Sequence, residues 1–81
     1  MKYSFHVQQR FGDDFINMWP YAAVGDYCDD FKQVKRQYKN MLEENPTNTY
    51  RVVRYRAVTR GCVCKTIVGI EGAPTVMLSN E

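Results

Sequence analysis

The clearest pattern lies in the first eleven residues, where apolar and polar side chains alternate. The apolar positions are Tyr3, Phe5, Val7 and Phe11, and the polar ones are Ser4, His6, Gln8 and Arg10. A period of two predicts a half-buried β-strand over Tyr3–Phe11. We expect the apolar set to face the core, and the polar set, which includes His6, to face solvent.

A second strand is predicted directly after this one. The segment 12–14 reads Gly-Asp-Asp, which is typical of a turn, and Phe15 to Val24 then has the composition of a strand. So short a connection favours an antiparallel hairpin. Pro20 has no N–H to donate, so this strand lies at an edge of the sheet or ends there.

Helical spacing begins near Asp26. The apolar residues that follow at offsets of 0, 4, 7, 11, 14 and 15 are Tyr27, Phe31, Val34, Tyr38, Met41 and Leu42. This spacing predicts an amphipathic helix of about four turns. Asp26 is a suitable N-cap, with Asp29 three positions later. Pro46 disfavours the helical conformation at Asn45 and ends the helix there.

Two further strands are predicted after the helix. Tyr50–Arg60 is rich in β-branched and aromatic residues, and Cys62–Ile70 follows a turn at Gly61. On the first of these we expect one set of side chains to face the helix and the three arginines to face away. The helix-facing set is Val53, Tyr55 and Ala57, and the arginines are Arg54, Arg56 and Arg60. Residues 72–74 (Gly-Ala-Pro) are expected to end the last strand, leaving 73–81 as a short extra strand or a flexible tail.

The element order β-β-α-β-β predicts an α+β fold. One amphipathic helix needs a sheet to bury its apolar stripe, and two hairpins supply one. We therefore expect a single domain over residues 1–81. It is a two-layer sandwich of one helix on an antiparallel or mixed four-stranded sheet. The opposite face of that sheet has nothing predicted to cover it, so function is expected there.

Composition narrows the class of protein. With 44% hydrophobic and 14% aromatic residues among 81, the chain is too apolar for a disordered segment. No apolar run approaches the roughly 18 residues of a membrane-spanning helix. The alternating start is unlike the apolar region of a signal peptide, so none is expected.

Candidate chemistry is sparse. An odd number of cysteines (Cys28, Cys62 and Cys64) argues against a secreted disulfide framework and favours packing in a reducing cytoplasm. Those cysteines and the single His6 lack the spacing of a metal site, so we expect no metal and no cofactor. A cysteine–histidine pair stays open as an enzymatic alternative. An exposed strand histidine favours a protein that is not an enzyme.

The basic residues are unevenly placed. The formal charge is only +2, yet residues 47–70 contain five basic residues and no acid. Arginine recognises carboxylate and phosphate through a bidentate fork, and aromatic residues are enriched in binding interfaces. This favours a partner-binding surface whose members are Arg54, Arg56, Arg60, Lys65, Tyr50 and Trp19. The expected partner is a protein with an acidic or nucleic-acid-binding surface, and a homodimer through an edge strand stays open.

A second basic group gives an alternative function. Four residues at offsets of 0, 3, 4 and 7 form one stripe of the predicted helix: Lys32, Lys35, Arg36 and Lys39. Together with Arg51 and the other arginines they favour a small nucleic-acid-binding protein. The plainer interpretation is a solvated helix face, and a pI near 8.5 is below the value of about 9 that marks many nucleic-acid-binding domains.

The first hairpin also resembles a known group of proteins. Residues 7–13 fit the pattern V-Q-x-R-x-G-D, followed by Asn17 and Trp19, and a later strand begins Tyr-Arg-Val-Val at Tyr50. The resemblance, over residues 3–56, is to small uncharacterised proteins of tailed bacteriophages. Their helices are usually rich in alanine and glutamate, whereas this one is basic. The resemblance implies no catalytic residues. It implies a phage accessory protein in the bacterial cytoplasm that inhibits a host enzyme or defence complex, of the anti-CRISPR, anti-restriction or polymerase-inhibitor kind.

Overall fold

The structure, a computed structural model, describes residues 2–21, 25–62 and 66–81. Its elements are β1 (Tyr3–Phe11), β2 (Asp14–Trp19), α1 (Phe31–Glu44), β3 (Tyr50–Arg60) and β4 (Thr66–Ser79). The predicted α+β class and the order β-β-α-β-β are confirmed. Within the described residues, no helix has the length and apolar character needed to cross a bilayer.

The four strands form one antiparallel sheet in the order β2-β1-β3-β4. The first strand of the chain is therefore a central strand, paired with β2 on one side and β3 on the other. Gly12, with φ of +63°, occupies the tight turn between β1 and β2. Its left-handed conformation is one that glycine adopts without steric cost.

The helix packs on one face of β1 and β3. Its buried residues Val34 and Tyr38 form a core with Val7, Tyr50 and Val52. Val7 lies opposite Val52 in the register, so their side chains share one face of the sheet. Both pack against helix residues, so this is the face toward α1. Alternation along β3 then places the even-numbered residues on the helix side.

The predicted faces of β3 are therefore wrong. Arg54 and Arg56 share the helix side with Val52, whereas Val53 and Tyr55 lie on the far side. The physical reason is that Val52 and Val53 are both fully buried, one on each face. A strand with an apolar residue on both faces has no alternation to show which face meets the helix.

The helix begins four residues later than predicted. Its N-cap is Asp30, whose Oδ1 accepts hydrogen bonds from the backbone N–H of Lys32 (3.0 Å) and Gln33 (3.4 Å). The predicted cap at Asp26 is wrong because residues 26–30 are not helical. They run beside β1 instead, where the N–H of Phe5 donates to the carbonyl of Cys28 at 2.7 Å. The predicted end before Asn45 is confirmed.

Strand β4 is continuous across the predicted break. Residues 72–74 form a bulge within it: Arg54 pairs with Thr75 and Arg56 with Glu71, so three residues of β4 lie opposite the single residue Tyr55. Gly72 has φ of +74° in this bulge. An edge strand tolerates such irregularity and a proline.

The other strand limits also differ from prediction. Strand β2 ends at Trp19 rather than continuing to residue 24, and residues 22–24 lie outside the described part of the chain. Cys62 precedes β4 rather than belonging to it, and Cys64 lies outside the described residues. Strand β3 makes its last hydrogen bond to the β1 segment from the N–H of Ala57 to the carbonyl of Lys2, at 3.0 Å. Beyond Ala57, β3 pairs only with β4, and the two strands continue as a two-stranded ribbon. The molecule is 44 Å long and 24 Å wide.

Candidate functional site

The sheet face away from α1 is covered over β1. Ser4 and His6 are fully buried there, and Gln8 is only 3% exposed. The prediction of a solvated polar row, with His6 in water, is therefore wrong. The cover comes from Pro20, whose carbonyl contacts the imidazole, and from the rings of Tyr27 and Tyr55, which meet it edge-on with centroids 6.5 and 5.6 Å away.

The hydrogen bonds of His6 fix its tautomer. Its Nδ1 lies 2.9 Å from the carbonyl of Pro20, which only accepts, so Nδ1 carries the proton. Its Nε2 lies 2.8 Å from the hydroxyl of Ser4, which therefore donates to the neutral ring. Burial lowers the pKa of His6 below its ordinary value of 6.5, although the bond to Pro20 acts in the opposite direction. The imidazole is thus neutral at pH 7.

Ser4 and His6 have the spacing of a nucleophile and its general base. A third group, the carbonyl of Pro20, orients the ring. Neither side chain has any exposed surface, however, so no substrate reaches the hydroxyl. In the folded chain these bonds satisfy buried polar atoms and hold residue 20 onto the sheet.

A second polar network continues from Gln8. Its amide nitrogen donates to the Oδ1 of Asn17 (2.8 Å) and to the hydroxyl of Tyr55 (3.0 Å), and its Oε1 accepts from the Nε of Arg51 (2.7 Å). The guanidinium of Arg51 also lies 3.8 Å from the ring centroid of Phe15. Arg51, predicted to contact nucleic acid, is therefore engaged within the sheet face that lies away from the helix.

On the helix side, Arg54 and Arg56 lie in an open cleft of about 570 Å³, which we call the arginine cleft. Both belong to β3, two residues apart on the same face, and the bulge of β4 forms the opposite wall. The lining residues are Tyr3, Arg54, Arg56, Glu71, Gly72, Ala73 and Thr75. Two cations and one carboxylate leave the cleft with a net positive charge.

The two arginines differ in burial and contacts. Arg54 is half-buried, with its guanidinium carbon 4.4 Å from the ring centroid of Tyr3. Its Nε is fully buried and has no hydrogen-bond partner among the described residues. Arg56 is exposed, and its nearest contact with an acid is 3.9 Å to the carboxylate of Glu71. That distance is beyond the range of a hydrogen bond.

The remaining predicted partner-binding residues are not gathered at this cleft. Tyr50 is 2% exposed and belongs to the core, so its prediction as an accessible aromatic residue is wrong. Trp19 is half-buried and packs against the same core. Arg60 is exposed but lies on the ribbon, four residues beyond Arg56. Lys65 lies outside the described residues.

The basic residues of the helix form a separate surface. All four are exposed: Lys32, Lys35, Arg36 and Lys39. They lie on α1, whereas Arg51 lies on the far side of the sheet. The residues predicted to form one nucleic-acid-binding surface therefore lie on two different sides of the molecule.

Sequence reasoning missed the cleft partners Tyr3, Glu71 and Thr75. They are brought to Arg54 and Arg56 by strand register, which no local pattern encodes. It also missed the Ser4–His6 pair, although a signal was present: the two residues are two apart on one strand, so their side chains share a face.

No metal site stands out. Among the described residues no group of three His, Cys, Asp or Glu side chains is placed to hold a metal ion. Cys28 is half-buried, and burial raises the pKa of its thiol.

Comparison with known proteins gives no match for this chain. No family model, no curated protein and no solved structure is significantly similar to it. The resemblance to tailed-bacteriophage proteins therefore stays a prediction.

Proposed function

We propose that this chain is a non-enzymatic protein-binding module that meets an acidic surface of its partner through the arginine cleft. One observation carries the proposal. Arg54 and Arg56 lie side by side in an open cleft, and neither guanidinium donates a hydrogen bond to any acceptor in residues 2–21, 25–62 and 66–81. Guanidinium donors that make no hydrogen bond within the fold are suited to donate to the carboxylates of a partner.

Two features support binding rather than catalysis. Ser4 and His6, which have the spacing of a catalytic pair, are fully buried and take part in hydrogen bonds that stabilise the fold. In the arginine cleft, the hydroxyls of Tyr3 and Thr75 make no hydrogen bond to the carboxylate of Glu71, so the lining residues show no nucleophile held by a base. Its side chains are of the kind that bind carboxylates and stack, rather than the kind that transfer protons near pH 7.

The biological setting is proposed from the resemblance of residues 3–56 to tailed-bacteriophage proteins. In that setting the partner is a bacterial enzyme or defence complex, and binding inhibits it. The anti-CRISPR, anti-restriction and polymerase-inhibitor kinds all act on proteins that handle nucleic acid. Such proteins also carry acidic residues around their catalytic metal ions, which an arginine pair is suited to contact.

The test is an affinity capture with charge-matched variants. The tagged chain is incubated with bacterial lysate, and bound proteins are quantified by mass spectrometry. The variant Arg54→Glu/Arg56→Glu reverses two charges in the cleft, and Lys35→Glu/Lys39→Glu makes the same change of charge on the exposed side of α1. We expect the first variant to lose a host protein that the wild type and the second variant both retain.

Two outcomes would contradict the proposal. The first is capture of the same proteins by all three forms, because the cleft then plays no part in binding. The second is tight binding of short DNA or RNA in fluorescence anisotropy, with affinity falling steeply as salt rises. That result would favour the nucleic-acid alternative instead.

A further inference from the structure

We infer that the arginine cleft binds the side-chain carboxylate of an acidic peptide segment, with Arg54 as its principal donor. This inference rests on the proposed function and names the chemical group that the same site recognises. It is carried by a comparison between two arginines, by the position of Glu71 and by the charge of the lining residues.

Only two of the six arginines are half-buried, Arg51 and Arg54. The fold supplies Arg51 with an acceptor, the Oε1 of Gln8 at 2.7 Å, and with an aromatic face, the ring of Phe15. Arg54 has the aromatic face of Tyr3 but no acceptor among the described residues, and its Nε is fully buried. A guanidinium N–H withdrawn from water without an acceptor is costly to a fold. By comparison with Arg51, Arg54 lacks a hydrogen-bond acceptor, and a carboxylate is the acceptor that best matches a guanidinium.

The stack on Tyr3 prepares Arg54 for such a ligand. A planar guanidinium held at 4.4 Å from the centroid of an aromatic ring keeps all its N–H donors in the plane of the guanidinium, along its edges. Because Nε is buried, a carboxylate meets the outer edge of the guanidinium, where the two Nη nitrogens offer parallel donors in a bidentate arrangement. Because the ring already restricts the side chain, less conformational entropy is lost on binding.

Glu71 already places one carboxylate in the cleft, but it makes no hydrogen bond to either arginine. Its Oε1 lies 3.9 Å from Arg56 Nη1, and both side chains are more than half exposed. So loose a pair contributes little stability and is easily exchanged. An incoming carboxylate therefore competes with Glu71 for Arg56 while it binds Arg54.

The charge of the cleft favours a carboxylate over a phosphate. Two guanidiniums and Glu71 leave one unbalanced positive charge, which a single carboxylate neutralises. A phosphate monoester carries about 1.5 to 2 negative charges at pH 7 and would be repelled by Glu71. We therefore assign the site to an acidic protein segment.

The test uses nuclear magnetic resonance of the arginine side chains. The labelled chain is titrated with a capped triglutamate peptide, and the Nε–Hε signals are followed at low salt. The controls are a capped triglutamine peptide and inorganic phosphate. We expect the Arg54 and Arg56 signals to move with triglutamate, to stay in place with triglutamine and to move less with phosphate at equal concentration. The signal of Arg36, on the helix, is expected to stay in place throughout.

Two variants make the test decisive. Arg54→Lys keeps the charge but removes the fork, and is expected to weaken triglutamate binding about tenfold, within the contribution of one charged hydrogen bond. Glu71→Gln removes the competing carboxylate and is expected to tighten binding several-fold. Because Glu71 is exposed, the second variant remains informative if the first fails to fold.

Several results would overturn the inference. They are unmoved Arg54 and Arg56 signals, equal movement of Arg36, stronger binding of phosphate, or weaker binding by Glu71→Gln. The outcome is separable from that of the capture experiment. A cleft that binds triglutamate while capturing no host protein contradicts the proposed function alone. A cleft that captures a protein without responding to triglutamate contradicts the carboxylate assignment and leaves the protein-binding role in place.

Discussion

Replacing His6 with asparagine tests whether the imidazole is buried and neutral in the folded chain. Asparagine retains an N–H at the position of Nδ1, to donate to the carbonyl of Pro20, but it does not titrate. The wild type and the His6→Asn variant therefore differ in whether this position gains a proton as the pH falls. The quantity to compare is the pH dependence of the free energy of unfolding.

The sign and size of that dependence follow from the lowered pKa. In the unfolded chain His6 has its ordinary pKa of 6.5, while burial holds the pKa of the folded form below that value. Well above pH 6.5 both forms are neutral and the stability is fully present. As the pH falls, the unfolded chain gains a proton first, so stability is lost by at most about 1.4 kcal/mol per pH unit. The loss continues until the pH passes below the pKa of the folded form.

The assay is urea unfolding of both proteins between pH 8 and pH 5. We expect the wild type to lose more stability than His6→Asn over this range. The excess is at most about 2 kcal/mol at pH 5, the free energy by which protonation stabilises the unfolded chain while the folded chain stays neutral. That is a large part of the roughly 4–12 kcal/mol expected for a domain of this size. Parallel curves for the two proteins would refute the reasoning, as would a His6 signal titrating at or above pH 6.5.

Three further substitutions test other features, each measured by urea unfolding at pH 7.5. Ser4→Ala leaves the imidazole Nε2 as a buried acceptor without a donor and is expected to cost about 1–3 kcal/mol; no loss would mean that the hydroxyl does not donate. Asp30→Ala removes the helix cap and is expected to cost about 1 kcal/mol, whereas Asp26→Ala should be nearly neutral; the reverse order would restore the sequence-predicted helix start. Gly72→Ala places a side chain at φ of +74° and is expected to cost about 1 kcal/mol with no steric contact, whereas Gly69→Ala, without a positive φ, should cost less; equal losses would count against the left-handed bulge.

The elements that sequence patterns predicted well are those with strong local signals. Strand β1 alternates at every position from Tyr3 to Gln8, and Pro46 marks the end of α1 in the sequence itself. The helix start was misplaced because Asp26 and Asp30 are both good caps. The hydrogen bond from the N–H of Phe5 to the carbonyl of Cys28 keeps residues 26–30 beside β1. It is a tertiary contact, so the local sequence does not predict it.

The candidate site was predictable only in part. The pairing of Arg54 with Arg56 follows from their spacing on a strand, but their placement on the helix side depends on register with β1. Glu71 reaches them through the bulge in β4, which sequence reasoning took for the end of a strand. The burial of His6 was missed for a similar reason, since its cover comes from Pro20 and Tyr27, well separated from it along the chain.

The central position of β1 has a consequence for the order in which the chain folds. Its partner β3 begins 39 residues after β1 ends, so β1 and β2 emerge from the ribosome as a hairpin long before the sheet closes. Until then Ser4, His6 and Gln8 are hydrated, and Val7 has neither Val52 nor α1 to cover it. Closing this loop costs conformational entropy before any contact between β1 and β3 forms, so we expect it to slow folding. Residues that strengthen the contact between β1 and β3 are therefore expected to set the rate of folding, while those at the bulge of β4 mainly set the rate of unfolding.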